Sequence, residues 1–533
     1  MLKKNNFDSS RTYIVKVLLA VFFVLVVILP LVKMLSLLFQ TDVSAVVQNP
    51  RFVVALKNSL VSTLVATIHS VILAYILAMC VYRTQMKHKT IITVLVTLPM
   101  LIPSVSHGMG LILLCGSNGF LTNLFNVQES IYGFAGVVVG SIMYSFPVAF
   151  LMIADILKYQ DYTPYEACKV MNIRGLAKFR AVTLPYLRKP LISVFFATFT
   201  MIVTDYGVPL MIGGKYITLP VLMYQEVIGM LDFGKGATIG TFFLIPAVIA
   251  FVLDLLNKDK AGSSFTKKPF PAKVSKPVLA VATIFCIEQV IFVLLPIFSF
   301  IVLSVVEKYP ISLNFTMNHI LKTFNTGGGG YLANSVIIAL LTSAVGTISA
   351  FATAYFSARS SGKASRFLHM MAITALAIPG LVLGLSYMLF FKGTFLYATF
   401  AIMILVNTMH FFSSPYLMAY NSFSKINMNL EAVAQTMGIG KGLLIRDVLF
   451  PQMKSTILEM FSYFFVNSMM TISAISFLST AQNKPLSLMI NLFQAQMVVE
   501  GAAFVSLLIL IINIIMKYIV YVLNKKFKNL GGV

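Results

Sequence analysis

Two stretches decide the fold: Lys158–Pro190, KYQDYTPYEACKVMNIRGLAKFRAVTLPYLRKP, and Ser424–Lys454, SKINMNLEAVAQTMGIGKGLLIRDVLFPQMK. Each reads as a short helix, a bend, a second short helix and a proline stop, and each lies between long apolar blocks. In the first, Thr163-Pro164-Tyr165-Glu166 has the form of a capping box with proline at the first helical position. Thr163 is expected to accept from the third amide while Glu166 reaches back. In the second, Asn429 can cap, and Glu431 sits in the first turn, where the helix dipole favours it by roughly 0.3–1 kcal/mol. Small and apolar residues follow: Ala167, Val170 and Met171 in one, Ala432, Ala434 and Met437 in the other. The bends hold Asn172 and Gly438, the two residue types that best tolerate the left-handed conformation ending a helix. Leu184-Pro185 and Phe450-Pro451 then close each segment.

The similarity extends outward along the chain. Asn58-Ser59 and Asn334-Ser335 stand 276 residues apart, as do Pro103 and Pro379, and Gly108 and Gly384. Further on, Pro147 matches Pro415, Pro185 matches Pro451, Pro220 matches Pro485, and Gly236-Ala237 matches Gly501-Ala502, at offsets of 268 to 265. Punctuating residues in one order at nearly constant offset mark an internal repeat.

Each repeat is membrane material. Of 533 residues, 58% are hydrophobic and 11% charged, with a mean hydropathy of +0.90. A soluble protein of this size could not cover so much apolar surface. Blocks such as Tyr13–Phe39 and Phe504–Leu523 reach the ~20 residues needed to cross the hydrocarbon core as helix. Twelve spans are expected, at about 12–39, 58–82, 90–114, 131–157, 187–211, 238–257, 277–306, 332–357, 367–391, 395–420, 455–479 and 502–524. The fifth and eleventh contain polar breaks. The fold class is all-α: a polytopic membrane protein of about 12 transmembrane helices in two parallel six-helix repeats. The basic N-terminus leads into an apolar run too long for a signal-peptide core, so the first span is expected to stay as an anchor.

The net charge of +23 raises the question of nucleic acid. With the N-terminus set inside, 31 of the 40 Lys and Arg fall in inner loops and inner span ends, the asymmetry membrane proteins show towards the cytoplasm. That accounts for the charge with no nucleic acid, and puts both termini in the cytoplasm. The polar, basic stretch Asn257–Pro277 cannot span and reads as a linker. The domains are then 1–257, a first transmembrane domain; 258–276, a cytoplasmic linker; and 277–533, a second transmembrane domain.

Candidate chemistry is sparse. Cys80, Cys115, Cys168 and Cys286 have no metal or redox spacing, and the six His show no metal pattern. No carboxylates, His or nucleophile converge at one depth, as a membrane-embedded enzyme would need. Gly229–Lys235 and Gly438–Gly442 imitate phosphate-binding loops but lack the Ser or Thr, or the preceding strand. Intramembrane ionisable residues are costly and point to function. The first candidate is Asp205 in TDYGVPLMIGG, where Pro209, Gly213 and Gly214 are expected to break the helix and open a water-lined cavity, with Tyr206 as a lining partner. Glu288 and Glu459 read as structural pairs; His69, His107 and His410 as packing residues.

The doubled pattern of Glu-Ala, a bend and Leu-Pro resembles the EAA loop of binding-protein-dependent ABC importer permeases, the MetI-like inner-membrane component family. Glu166-Ala167-Cys168 and Leu184-Pro185 match, with Asn172 in place of glycine. The second copy keeps Gly438, but Glu431-Ala432 lies one residue further upstream and Phe450 replaces Leu. The resemblance implies that both loops supply coupling helices, carried by Thr163, Pro164, Glu166, Ala167, Asn172 and Pro185, and by Glu431, Ala432, Gly438 and Pro451. It implies two copies of a cytoplasmic ABC ATPase, an extracytoplasmic solute-binding protein, and a bacterial inner-membrane location. ATP and Mg would be used by the partner ATPase, with no cofactor bound by this chain and no catalysis of its own. DYGVP with GG, LPVLMYQEVIG and GATIGTFFLIPAVIAFVLD resemble the ferric-iron, thiamine and 2-aminoethylphosphonate branch of fused or paired permeases. The last two strings lean to the 2-aminoethylphosphonate type, so the resemblance implies a small polar solute, 2-aminoethylphosphonate or ferric iron, as cargo. A secondary transporter of six plus six spans is the alternative. It would carry a Gly-x-x-x-Asp-Arg type loop where this chain has RTQMKHKT (Arg83–Thr90).

Overall fold

The computed structural model describes residues 6–530 apart from 85, 127–130, 258–269, 271–273, 310, 361, 428 and 497. The chain is almost wholly helical; a hairpin pairing Val306–Lys308 with Ser312–Phe315 is the strand structure among the described residues. In the first half, α1 (Asn6–Phe23) runs on through a π-turn into α2 (Leu29–Ser36), and α3 (Pro50–Arg83) follows. Next come α4 (Ser104–Cys115), α5 (Phe134–Lys158), the short α6 (Thr163–Val170) and α7 (Leu184–Val203). The half closes with α8 (Gly207–Ile212), α9 (Leu219–Tyr224) and α10 (Phe233–Asn257).

The second half repeats the order: α11 (Lys276–Ser304), α12 (Gly329–Ala358), α13 (Lys363–Thr374), α14 (Gly380–Phe391), α15 (Phe400–His410) and α16 (Ser413–Lys425). Then follow the short α17 (Leu430–Thr436), α18 (Lys454–Met470), α19 (Leu486–Ala495) and α20 (Val499–Leu530). Between α10 and α11, only Phe270 and residues 274–275 are described, so most of the expected linker lies outside the described residues.

Among the described residues nine helices are long and apolar enough to cross a membrane, and eleven if two bent pairs each count as one. The remaining expected span, 455–479, is helical only over the 17 residues of α18. The breaks have local causes. A residue before proline is pushed out of the helical region: Ile102 (φ −118°, ψ 151°) and Ile378 (φ −92°, ψ 114°) are extended ahead of Pro103 and Pro379. The α13–α14 pair consequently bends by 111°.

The fifth and eleventh spans stop at Val203 and Met470. The non-helical backbone beyond them has polar groups that must be satisfied inside the protein. The Asn-Ser pairs do this in both halves. Asn58 Nδ2 donates to the Ile217 carbonyl at 3.0 Å, and the Leu219 amide donates to Ser59 Oγ at 2.7 Å. In the second half Asn334 Nδ2 donates to the Gln482 carbonyl at 3.0 Å, and the Leu486 amide donates to Ser335 Oγ at 2.7 Å. The repeated dipeptide is thus a tether for the chain entering α9 and α19.

The first span of each half lies against the other half. α1 and α2 pack on α13 and α14, and α11 packs on α3 and α4. Phe23 meets Phe412 edge-on at 5.2 Å between ring centroids. On the opposite side Gly110 of α4 abuts Pro296 of α11 so closely that an added Cβ would lie 2.3 Å from the Pro296 Cβ. Small residues permit such backbone approach between membrane helices, where packing carries association. Gly110→Val is therefore expected to force α11 off α4 and cost about 1–3 kcal/mol by overpacking, read as a lower unfolding temperature in detergent. An unchanged transition would mean that the clasp does not form.

Candidate coupling elements and translocation path

The two short loops share one geometry. Asn172 (φ 54°) and Gly438 (φ 69°) both take the left-handed conformation expected of them. In each, the next amide reaches back across the turn: Ile173 to the Cys168 carbonyl and Ile439 to the Ala434 carbonyl, both at 2.8 Å. Cys168 and Ala434 are the buried residues of α6 and α17, and all four cysteines are free.

The caps differ from expectation. Thr163 opens α6 without capping it; its amide and hydroxyl both donate to Asp161 Oδ1, at 3.1 and 2.9 Å. Asn429 likewise makes no side-chain cap, and its amide donates to Asn427 Oδ1 at 2.9 Å. A side-chain oxygen two residues upstream offers a tighter local ring than a capping box. Pro164 and Glu166 lie in the first turn of α6, and Ala167, Pro185, Ala432 and Pro451 are exposed.

An arginine at the end of the preceding long helix grips each loop. Arg359 Nη1 donates to the Phe423 and Ile426 carbonyls at 3.4 and 2.7 Å, and Nη2 donates to the Asn427 carbonyl at 2.7 Å. Its Nε reaches Glu431 Oε1 at 2.6 Å, and Nη2 pairs with Glu431 Oε2. The Arg359 side chain is 1% exposed and that of Glu431 22%. In the first half Arg83 Nη2 donates to the Leu157 carbonyl at 3.0 Å and to Gln160 Oε1. Leu157 and Phe423 correspond at the offset of 266 that relates the loops. No local motif marks these arginines, although Arg83 and Arg359 stand at the same offset of 276 as the Asn-Ser pairs. Further along the second loop, the Arg446 guanidinium hydrogen-bonds Asp447 and holds its carboxyl below the usual range. Both groups are exposed, so that pair adds little.

The substrate-path candidates separate on inspection. Asp205 is a helix cap: Oδ1 accepts from the Gly207 amide at 3.3 Å and Oδ2 from the Val208 amide at 3.0 Å. The helix breaks at residues 204–206, ahead of Pro209, which sits buried in the first turn of α8 where its missing amide is harmless. Gly213 and Gly214 (φ 56°) end α8. Asp205 and Pro209 border a small cavity with Ser59, Ser62, Ser141 and Thr218. Tyr206 instead points across the seam between halves. Its hydroxyl hydrogen-bonds Ser476 Oγ at 3.0 Å and accepts from Asn491 Nδ2 at 3.4 Å. Nearby on the seam, Ser106 and Ser506 hydrogen-bond at 2.8 Å. Ser476, Asn491 and Ser506 were invisible to the sequence reading because nothing local distinguishes them. Glu459 is paired with Lys517 at 3.8 Å, and His69 bonds the Val65 carbonyl of its own helix. Glu288 is exposed on α11.

Nine to eleven apolar spans among the described residues, two copies of one loop and a polar seam between the halves are the frame of a membrane transport protein. The chain belongs to the family of binding-protein-dependent transport system inner membrane components, which it matches over residues 70–258 and 346–529. That family comprises inner-membrane components of binding-protein-dependent transport systems, in keeping with the nine to eleven apolar spans among the described residues. Relatives include the ferric transport system permease protein FbpB of Actinobacillus pleuropneumoniae, 24% identical over 431 residues, 76% of this chain and 62% of that protein. The thiamine transport system permease protein ThiP of Haemophilus influenzae is 26% identical over 341 residues, 61% of each chain. The sulfate transport system permease protein CysT of Salmonella typhimurium is 28% identical over 200 residues, 36% of this chain and 72% of that one. The matched region thus spans about three-fifths of the ferric and thiamine relatives.

Glu431→Gln keeps the shape of the loop and removes the charge pair. It is expected to cost about 1–3 kcal/mol, because Arg359 stays buried with a weakened partner. Thermal unfolding in detergent should show the loss, with Asp447→Asn as an exposed control that leaves the transition in place.

Proposed function

We propose that α6 and α17 are coupling helices through which two cytoplasmic ATPase subunits move this permease between inward- and outward-open states. The observation that carries the reading is the duplicated loop geometry ending in matched apolar tips. Met171 and Met437 are 69% and 68% exposed, and Val170 beside Met171 is 87% exposed. Exposed apolar residues on a rigid polar-rimmed knob mark a surface that expects a partner. The partner in this reading is an ATPase pair whose closure on ATP, with Mg, draws the knobs together and rocks the halves apart on the other side.

The basic face carrying both loops is then cytoplasmic, with both termini on it. The permease domains are 1–257 and 277–533, joined by the linker 258–276. A solute-binding protein docks on the opposite face and delivers a small polar solute. Ferric iron leads among cargoes, given the ferric relative, with 2-aminoethylphosphonate next on the resemblance of residues 219–254. In this account Tyr206 closes the seam, and Asp205 and Pro209 shape the broken helix beside it. The coupling loops act through Met171 and Met437, while Glu166, Asn172, Glu431 and Gly438 hold their shape.

Met171→Arg and Met437→Arg are each expected to reduce co-purifying ATPase about tenfold, the effect of losing an apolar anchor worth somewhat over 1 kcal/mol. Membrane insertion should be unchanged. Full ATPase recovery with both variants combined would remove the loops from the coupling role.

A further inference from the structure

The two halves diverge at one charged position, and a cavity lies there. In the second half the gripping arginine, Arg359, is neutralised by Glu431. The residue at the same place in the first half, at the loop offset of 266, is Tyr165. Its hydroxyl accepts from Gln160 Nε2 at 2.9 Å and hydrogen-bonds Thr183 Oγ1 at 3.0 Å. Arg83 finds the Leu157 carbonyl, Gln160 and the face of Phe270, whose ring centroid lies 3.6 Å from the guanidinium carbon. None of these partners is an anion.

Beside Arg83 opens a cavity of about 490 Å³ between α3, α6 and the start of α7. Lys169, Arg174 and Lys178 line it together with Arg83, and no Asp or Glu is among its described lining residues. Tyr165 and Phe270 form part of an aromatic wall. Four cations around one concavity repel each other unless an anion joins them, and a partly desolvated site strengthens that demand. The cavity sits beside Arg83, where the long apolar helix α3 ends, and basic pockets between helices near a bilayer surface take acidic headgroups.

We propose that this cavity binds a phosphate-bearing anion, supplied either by an acidic phospholipid of the adjoining leaflet or by soluble phosphate. Arginine and lysine donors match phosphate oxygens, and the charge-assisted bonds are the strong ones. The bound anion does for α6 what Glu431 does for α17: it neutralises the gripping arginine and braces the helix. One half of the permease thus carries its counter-charge in its own chain and the other borrows it. The inference stands on charge and shape, and only the consequence of bracing rests on the coupling reading.

The test uses the full-length chain alone in a neutral detergent, so that ATPase binding plays no part. Its unfolding temperature is measured against added phosphatidylglycerol, phosphatidylcholine, inorganic phosphate and chloride at matched ionic strength. A rise with phosphatidylglycerol but not phosphatidylcholine is expected. A further rise with inorganic phosphate over chloride identifies the phosphate group itself as sufficient, and its absence identifies the lipid. Two variants decide whether the cavity is responsible. Tyr165→Glu supplies the missing carboxylate in place and should abolish the anion effect. The surface triple variant Lys169→Gln, Arg174→Gln, Lys178→Gln should weaken apparent affinity about 100-fold, at about fivefold per charge. No rise with either anion, or an equal rise in both variants, overturns the proposal.

Discussion

Everything on the basic face of this permease depends on an arginine at the end of a long membrane helix holding the stem of a short one. Arg359 alone satisfies three backbone carbonyls and a carboxylate with one planar fork. Lysine could not replace it, because a point ammonium cannot bond several fixed acceptors in one plane. The bonded carbonyls belong to residues 423, 426 and 427, at and just beyond the end of α16, and those of 423 and 427 also accept the Ile426 and Leu430 amides. Arginine therefore closes a helix terminus and anchors the next element in one step. α3 and α12 are 34 and 30 residues long, so each short helix is tied to a long rigid element rather than to a flexible loop.

The second constraint is that irregular backbone within the membrane must find partners in protein. The broken segments after α7 and α18 meet it with side chains from α3 and α12, in pairs alike to within a tenth of an ångström. These breaks lie beside the seam where Tyr206 meets Ser476 and Asn491. Under the proposed alternating access, water can replace these polar contacts at little cost. The apolar packing of α1 and α11 at the flanks joins the halves independently of that seam.

Much of this was legible in residue order. The Asn-Ser pairs and prolines 103 and 379 announced a repeat, and Asn172 and Gly438 announced left-handed bends, whereas spans 90–114 and 367–391 were expected unbroken and are interrupted ahead of those two prolines. Contacts over long separations were not legible. Arg359 and Glu431 are 72 residues apart, and Tyr206 and Ser476 are 270 apart, so no periodicity links them. Asp205 stands out because its charge is conspicuous in an apolar run, but its bonds to the Gly207 and Val208 amides were not legible. Thr163 fitted a capping box, yet Asp161 offered a shorter ring. The reciprocal placement of the first spans could not be read at all, since α1 and α11 are apolar around most of their surface.

The account is tested most directly by spin labels at positions 171 and 437 in the permease assembled with its ATPase, with their separation measured before and after ATP binding. A shortening on ATP that reverses after hydrolysis, and is lost when Arg359 is replaced by Met, is the predicted result. A separation that ignores nucleotide would contradict the claim that these gripped helices carry the motion.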